Sequence, residues 1–141
     1  MRNLLENAAQ RAIHYLETVN DRPVAPDALA IGGIDAFDTQ LPQGPTDPAH
    51  ALALLDRIGS PGSMAMTGGR FFGFVIGGTL PATIASNWLT TAWDQNTGLY
   101  NVTPVVAQIE QTALRWLLEV LKLPDGCGGA FVNGATVANL C

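Results

Sequence analysis

The chain has 141 residues, of which 48% are apolar, so one domain with an apolar core is within its reach. Charged residues make up only 13% and the formal net charge is -5. No stretch concentrates lysine and arginine, which argues against nucleic acid or an anionic membrane surface as a partner. The charged share is about half that of a typical soluble domain. We therefore expect much of the surface to be covered, within a larger chain or a tight oligomer.

The cysteines and the N-terminus indicate a cytoplasmic protein. Cys127 and Cys141 form no CxxC pair and have no histidine near them in sequence, so reduced free thiols are expected and no metal site. The first residues lack the apolar run of a signal peptide. Residues 71–93 carry no charge and are long enough to cross a bilayer. Their glycines, threonines and Pro81 instead favour a segment buried on both sides within protein.

The first third of the chain predicts two helices joined by an irregular connection. Apolar residues recur at helical spacing over residues 4–19, with Asn3 and Glu6 as a variant capping box. This helix is expected to end near Asn20. Residues 20–47 are rich in proline and glycine, which predicts an arm that wraps a neighbour or a disordered linker. Asp47 and Pro48 then open a short helix that is expected to stop at Gly59.

Two more helices and the start of an α/β section follow. A glycine-rich segment with aromatic side chains covers residues 60–81, and a helix is predicted over residues 81–93. Thr103 and Pro104 open the longest helix, which runs to about Leu123, with Lys122 complementing the helix dipole. A short buried strand is predicted over residues 130–132, followed by a small-residue turn over residues 133–136.

That turn has the properties of an oxyanion site. Gly134 and Ala135 bring no bulky side chain, Thr136 offers a hydroxyl, and the free amides of the next helical turn attract negative charge. An ordinary connection between a strand and a helix is the alternative interpretation.

Three blocks of sequence carry a resemblance to a known family. They are, in order, GGRFFGFVIGGTLPATIASNWLTTAWDQN, TPVVAQIEQTALRWLLEVLKLP and GGAFVNGATVAN. Together they resemble the pyridoxal-phosphate-dependent decarboxylases of the aromatic-amino-acid and glutamate decarboxylase group. The resemblance implies fold type I: a homodimer with an N-terminal helical segment, a large α/β domain built on a mainly parallel sheet, and a smaller C-terminal domain. On that basis this chain is expected to be mainly α, with residues 1–60 as an N-terminal helical arm and linker and residues 61–141 as the incomplete start of the large domain.

The resemblance assigns cofactor contacts to the turn. Gly134, Ala135 and Thr136 match positions that bind the phosphate of pyridoxal 5'-phosphate. The family commonly has an acidic residue directly after the threonine, whereas this chain has Val137. The polar contacts next to the phosphate are therefore expected to differ.

The resemblance also assigns the wall of a substrate pocket for an amino acid. Phe74, Val75, Ile76 and Gly77 match a loop that lines this pocket. Asn96 and Gly98 match positions that the partner subunit contributes. Simple core packing is the alternative role for both groups.

The catalytic groups that this family needs are absent from the sequence. They are a lysine for the Schiff base, an aspartate for the pyridine nitrogen and a histidine that stacks on the ring. Lys122 is the chain's single lysine and precedes the turn, whereas the family's lysine lies far downstream. His14 and His50 lie too far upstream, and Asp94 and Asp125 are also at the wrong positions, so no catalytic residue is assigned.

We therefore expect the N-terminal part of a pyridoxal-phosphate-dependent amino-acid decarboxylase, inactive by itself. A non-enzymatic helical dimerisation module, or the remnant of a decayed decarboxylase gene, is the alternative. The sequence does not identify the amino acid or separate decarboxylation from related chemistry.

Overall fold

The computed structural model describes residues 1–76 and 78–140. Within them the chain is mainly helical and contains no strand, which confirms the expected helical character. The helices are α1 (Arg2–Thr18), α2 (Ala28–Gly33), α3 (Pro48–Gly62), α4 (Pro81–Trp93), α5 (Pro104–Val120) and α6 (Ala135–Ala138), and a 3-10 turn follows α2 at Ile34–Phe37. The chain divides into two compact units, Met1–Leu80 and Pro81–Cys141. The assignment of residues 1–60 and 61–141 to an arm and a large domain concerns a longer protein and stays a prediction.

Helix α1 forms as predicted, but it begins differently. The Met1 carbonyl accepts hydrogen bonds from the Leu4 and Leu5 amides at 3.1 and 3.2 Å. Asn3 therefore lies inside the first turn and no side chain caps the helix. The capping box expected from Asn3 and Glu6 is wrong, because a residue with helical backbone inside the first turn is not an N-cap.

The connection at residues 20–47 is more ordered than expected. Asp27 caps α2 by accepting a hydrogen bond from the Ala30 amide at 2.8 Å. Both α2 and the 3-10 turn pack against α3. An extended connection or a disordered linker is thus wrong for the first half of this segment, whereas an arm that wraps a neighbour stays a prediction. Asp27 after Pro26 is a helix-start signal, and α2 is too short to show periodicity.

Helix α3 starts as predicted and ends later. The Asp47 side chain accepts the Ala49 amide at 3.0 Å, with Pro48 in the first turn. The helix then continues past Gly59 through Pro61. Gly59 was wrongly predicted as the stop. A Cβ at Gly62 would lie only 3.2 Å from Ile34 Cγ1, so the glycine at the end of α3 permits a close approach to the 3-10 turn.

The core of the first unit is small. Val19, Ile58 and Ala65 are its buried apolar residues among those described. The Ala65 amide donates to the Val24 carbonyl at 2.9 Å, which ties the segment after α3 to the segment after α1. This unit therefore rests on α1, α2 and α3 packed around few side chains.

The second unit is less packed. Helix α4 has the predicted bounds, and α5 begins after Thr103 as predicted but ends at Val120. No two of its described helices pack against each other. The strand predicted over residues 130–132 is not formed, and Phe131 is 51% exposed. A strand needs a neighbouring strand to pair its amides and carbonyls, and the described chain provides none.

The described surface is large and apolar. The accessible surface is 11572 Å², whereas two separate compact bodies of these lengths would together expose roughly 8,400 Å². Exposed apolar side chains occur in both units. Those that are mostly exposed include Leu29, Phe72, Phe74, Val75, Val120 and Leu140. Over the described ranges, no helix combines the length and apolar character that crossing a bilayer requires.

Candidate functional site

The predicted phosphate turn forms the start of α6, with Gly134 as its N-cap. The Gly134 carbonyl accepts the Val137 and Ala138 amides, both at 3.1 Å, and the Ala135 carbonyl accepts the Asn139 amide at 2.9 Å. The amides of Ala135 and Thr136 lie in the first turn of α6, before the first amides that are bonded within the helix. They have no acceptor among the described residues. Two free amides and the exposed Thr136 hydroxyl thus occur together, a donor set that fits an oxyanion.

Glycine itself is not required at position 134. Its φ of 160° is extended backbone, and a Cβ there would meet no atom within 4 Å. The amides of Ala135 and Thr136 fit a phosphate in this unit, and the assignment of Gly134 to the phosphate stays a prediction. Val137, at the position where the family commonly has an acid, is 42% exposed.

The predicted substrate wall is a strained and exposed loop in the first unit. Phe74 and Val75 have φ values of 59° and 54°, a left-handed conformation that is unfavourable for a β-branched residue. Phe74 is 81% exposed, the Val75 side chain is fully exposed and Ile76 is half exposed. Gly77, the fourth residue of this prediction, lies outside the described residues. No contact within the described chain accounts for the strain.

The sequence did not reveal what anchors this loop. The Arg70 guanidinium donates to the Asn20 carbonyl at 2.6 Å and to the Arg22 carbonyl. The adjacent Gly69 amide donates to Asn20 Oδ1 at 3.1 Å. Arg70 is the only charged residue over positions 58–93, which was a usable signal. Its partners lie about fifty positions earlier, so spacing alone could not identify them.

Asn96 and Gly98 form a local turn in the second unit. Asn96 Oδ1 accepts the Gly98 amide at 3.1 Å, the geometry of an Asx turn. This bond fixes the Asn96 side chain against its own backbone. The assignment of both residues to the partner's pocket stays a prediction, because it needs a second subunit.

The predicted site residues are thus distributed over both units. Phe74, Val75 and Ile76 belong to the first, whereas Asn96, Gly98 and the turn at residues 134–136 belong to the second. A groove of about 660 Å³ in the second unit lies along the end of α5 and the loop that follows, and its lining includes neither Asn96 nor the turn.

Lys122 has a structural role at the end of α5. Its φ is 55°, its amide donates to the Glu119 carbonyl, and the Leu123 amide donates to the Leu118 carbonyl, both at 3.0 Å. This pair of bonds is a Schellman motif. Lys122 therefore follows the helix instead of lying in its last turn, which corrects the predicted end at Leu123.

Comparison with known proteins shows a similarity to a decarboxylase. No protein-family model matches the chain, and no solved structure matches it. The chain is 28% identical over 147 aligned residues to an aromatic-L-amino-acid decarboxylase of Bacillus atrophaeus. The alignment covers 99% of this chain and 29% of that enzyme, so the chain spans about three tenths of its relative's length. This similarity agrees with the decarboxylase resemblance of the three sequence blocks.

Proposed function

We propose that the chain is the N-terminal part of a pyridoxal-phosphate-dependent amino-acid decarboxylase. The observation that carries this proposal is the similarity to a decarboxylase across 99% of the chain. The proposed enzyme is a cytoplasmic homodimer that acts on an amino acid. This chain would supply it with dimer contacts, one wall of the substrate pocket and the turn for the cofactor's phosphate.

The turn would hold the phosphate through its free donors. The amides of Ala135 and Thr136, which have no acceptor in the described chain, would donate to phosphate oxygens, and the Thr136 hydroxyl would be a third donor. Hydrogen bonds to a charged group contribute about 1.5–3 kcal/mol each. When bound, pyridoxal phosphate supplies an electron sink for the carbon from which the carboxylate leaves. The side chains of the turn, Ala135 and Thr136, cannot act as an electron sink themselves.

The strained loop would form the pocket wall. Phe74 and Val75 present apolar surface that nothing in the described chain covers, and such surface fits an aromatic or aliphatic side chain. Arg70 holds the start of the loop against the end of α1. Asn96 and Gly98 would complete the pocket from the partner subunit.

The 141-residue chain alone is expected to be inactive, because Lys122 is its single lysine and serves the end of α5. Incubation with pyridoxal phosphate and a panel of aromatic and acidic amino acids should release no carbon dioxide above a protein-free control. Sustained turnover would contradict the assignment of Lys122 and the absence of catalytic residues.

A chimera tests the proposed function itself. In it, these 141 residues replace the aligned segment of the Bacillus atrophaeus decarboxylase. We expect a dimer that retains pyridoxal phosphate and releases carbon dioxide from an aromatic amino acid. A folded dimer that neither retains cofactor nor turns over would contradict the proposal and favour a dimerisation module.

A further inference from the structure

A second group of polar residues lies in the first unit, far in sequence from the turn. A groove of about 460 Å³ runs between α1 and α3. Its lining includes Arg11, Asp21, Arg22, Asp56, Arg57 and Ser60. Three of the chain's seven basic residues thus line one groove, in a chain whose net charge is -5.

Arg22 is held in place at this groove. Its guanidinium lies 4.7 Å from the centre of the Tyr15 ring, a cation–π distance. Its Nη1 donates to Ser60 Oγ at 3.2 Å. These contacts use one face and one N–H of the guanidinium, so the other N–H groups stay available for a ligand. The Ser60 hydroxyl keeps its own proton as a further donor.

The other charges of the lining leave a positive excess. Arg11 Nη1 pairs with Asp56 Oδ2 at 2.7 Å, so these two charges offset each other. Asp21 is the remaining carboxylate of the lining. Arg57 is exposed and has no ion pair or hydrogen bond within the described chain. Arg22 and Arg57 therefore outweigh Asp21 on this groove.

We propose that the groove between α1 and α3 binds a phosphoryl group, with Arg22, Arg57 and Ser60 as donors. The planar guanidinium matches two phosphate oxygens at once, which favours arginine at such sites. The groove is larger than one phosphate ion fills and lies within the size range of small-molecule sites. It thus accommodates a phosphate monoester with a small organic group as well as inorganic phosphate. The site uses none of residues 134–136 and does not depend on the proposed function.

Equilibrium dialysis of the whole chain against radiolabelled ligand tests this proposal, because the result does not require a monomer. Inorganic phosphate and glycerol 3-phosphate are titrated separately at constant ionic strength, since salt screens exposed charges. We expect saturable binding of at least one ligand at one site per chain. The ligand with the tighter binding identifies the source of the phosphoryl group.

Variants locate the site. We expect Arg57→Gln to weaken binding about tenfold and Ser60→Ala to weaken it about threefold, in keeping with the loss of one charged or one neutral donor. Arg2→Gln is the matched control, because Arg2 carries the same charge on α1 but is 86% exposed, pairs with Glu6 and lies outside the groove. Its binding constant should stay within about twofold of the unmodified chain.

Three results would overturn the proposal. They are binding that rises linearly without saturation, an equal loss in Arg57→Gln and Arg2→Gln, and unchanged affinity in both Arg57→Gln and Ser60→Ala. Far-UV circular dichroism verifies that each variant retains its helix content. If Arg57→Gln loses helix content, the affinity of Ser60→Ala and the saturation of binding to the unmodified chain still test the proposal.

Discussion

At the residue scale, Gly68 lies where the end of α1 meets the anchored loop. A Cβ there would lie 3.2 Å from the Ala65 carbonyl oxygen and 3.3 Å from Asn20 Oδ1. Gly68→Ala must displace these atoms, so we expect a loss of about 1–3 kcal/mol in the stability of this unit. Amide hydrogen exchange at Ala65, whose amide donates to the Val24 carbonyl, measures the change.

Gly69→Ala is the matched control for that substitution. The nearest atom to a Cβ at Gly69 is Asn20 Oδ1, at 4.0 Å. We expect a change within about 0.5 kcal/mol. Equal effects of the two substitutions on exchange would contradict the close packing inferred at Gly68.

The left-handed backbone of Lys122 gives a second prediction at this scale. Glycine adopts a φ of 55° without the Cβ penalty, which is about 1 kcal/mol or more for other residues. Lys122→Gly should therefore slow amide exchange at the end of α5 by about fivefold. Lys122→Ala removes the charge but keeps the Cβ, and should change exchange little. Equal exchange rates in the two variants would contradict the inference that the left-handed backbone at position 122 destabilises the end of α5.

At the element scale, α1 and α3 are joined by a partly buried ion pair. Arg11 also donates through Nε to Asn7 at 2.8 Å, which orients the guanidinium toward Asp56. We expect Asp56→Asn to destabilise the first unit by about 1 kcal/mol, since each side chain of the pair is about a third exposed. Urea unfolding followed by far-UV circular dichroism measures the loss.

The exposed pair of Arg2 and Glu6 provides the comparison for Asp56. Its atoms are 3.8 Å apart and its side chains are 86% and 59% exposed. Glu6→Gln should change the free energy of unfolding, measured from the urea transition, by no more than about 0.3 kcal/mol. A larger effect for Glu6→Gln than for Asp56→Asn would refute the ranking of the two pairs.

The elements show how far the sequence could predict this fold. The starts of α3, α4 and α5 follow from prolines at first-turn positions, which act locally. Short α2 was missed because six residues carry no periodicity. The strand at residues 130–132 failed because strands depend on partners distant in sequence. The anchoring role of Arg70 was missed for a similar reason. Its acceptors, the carbonyls of Asn20 and Arg22, lie about fifty positions earlier in the sequence.

At the scale of the whole molecule, the exposed surface predicts association. It exceeds that of two compact bodies by roughly 3,000 Å², an amount in the range that permanent interfaces bury. We expect the isolated chain to self-associate or to be partly ordered. Sedimentation velocity at several concentrations measures this. A compact monomer at all concentrations would contradict the expectation.

The candidate site also has groups that nothing in the described chain covers or pairs. The amides of Ala135 and Thr136 are free within the described chain, and the wall loop is strained and exposed. Local chemistry predicted the turn, whereas the assignment of the wall loop, Asn96 and Gly98 to a substrate pocket stays a prediction. The proposed function of these features rests on the similarity to a decarboxylase across 99% of the chain.

A crystal structure of the chimera with pyridoxal phosphate bound tests the central claim most directly. The account predicts that the amides of Ala135 and Thr136 lie about 2.7–3.2 Å from oxygens of the cofactor's phosphate. The account is contradicted if those amides are paired with backbone carbonyls and the phosphate is bound by other residues.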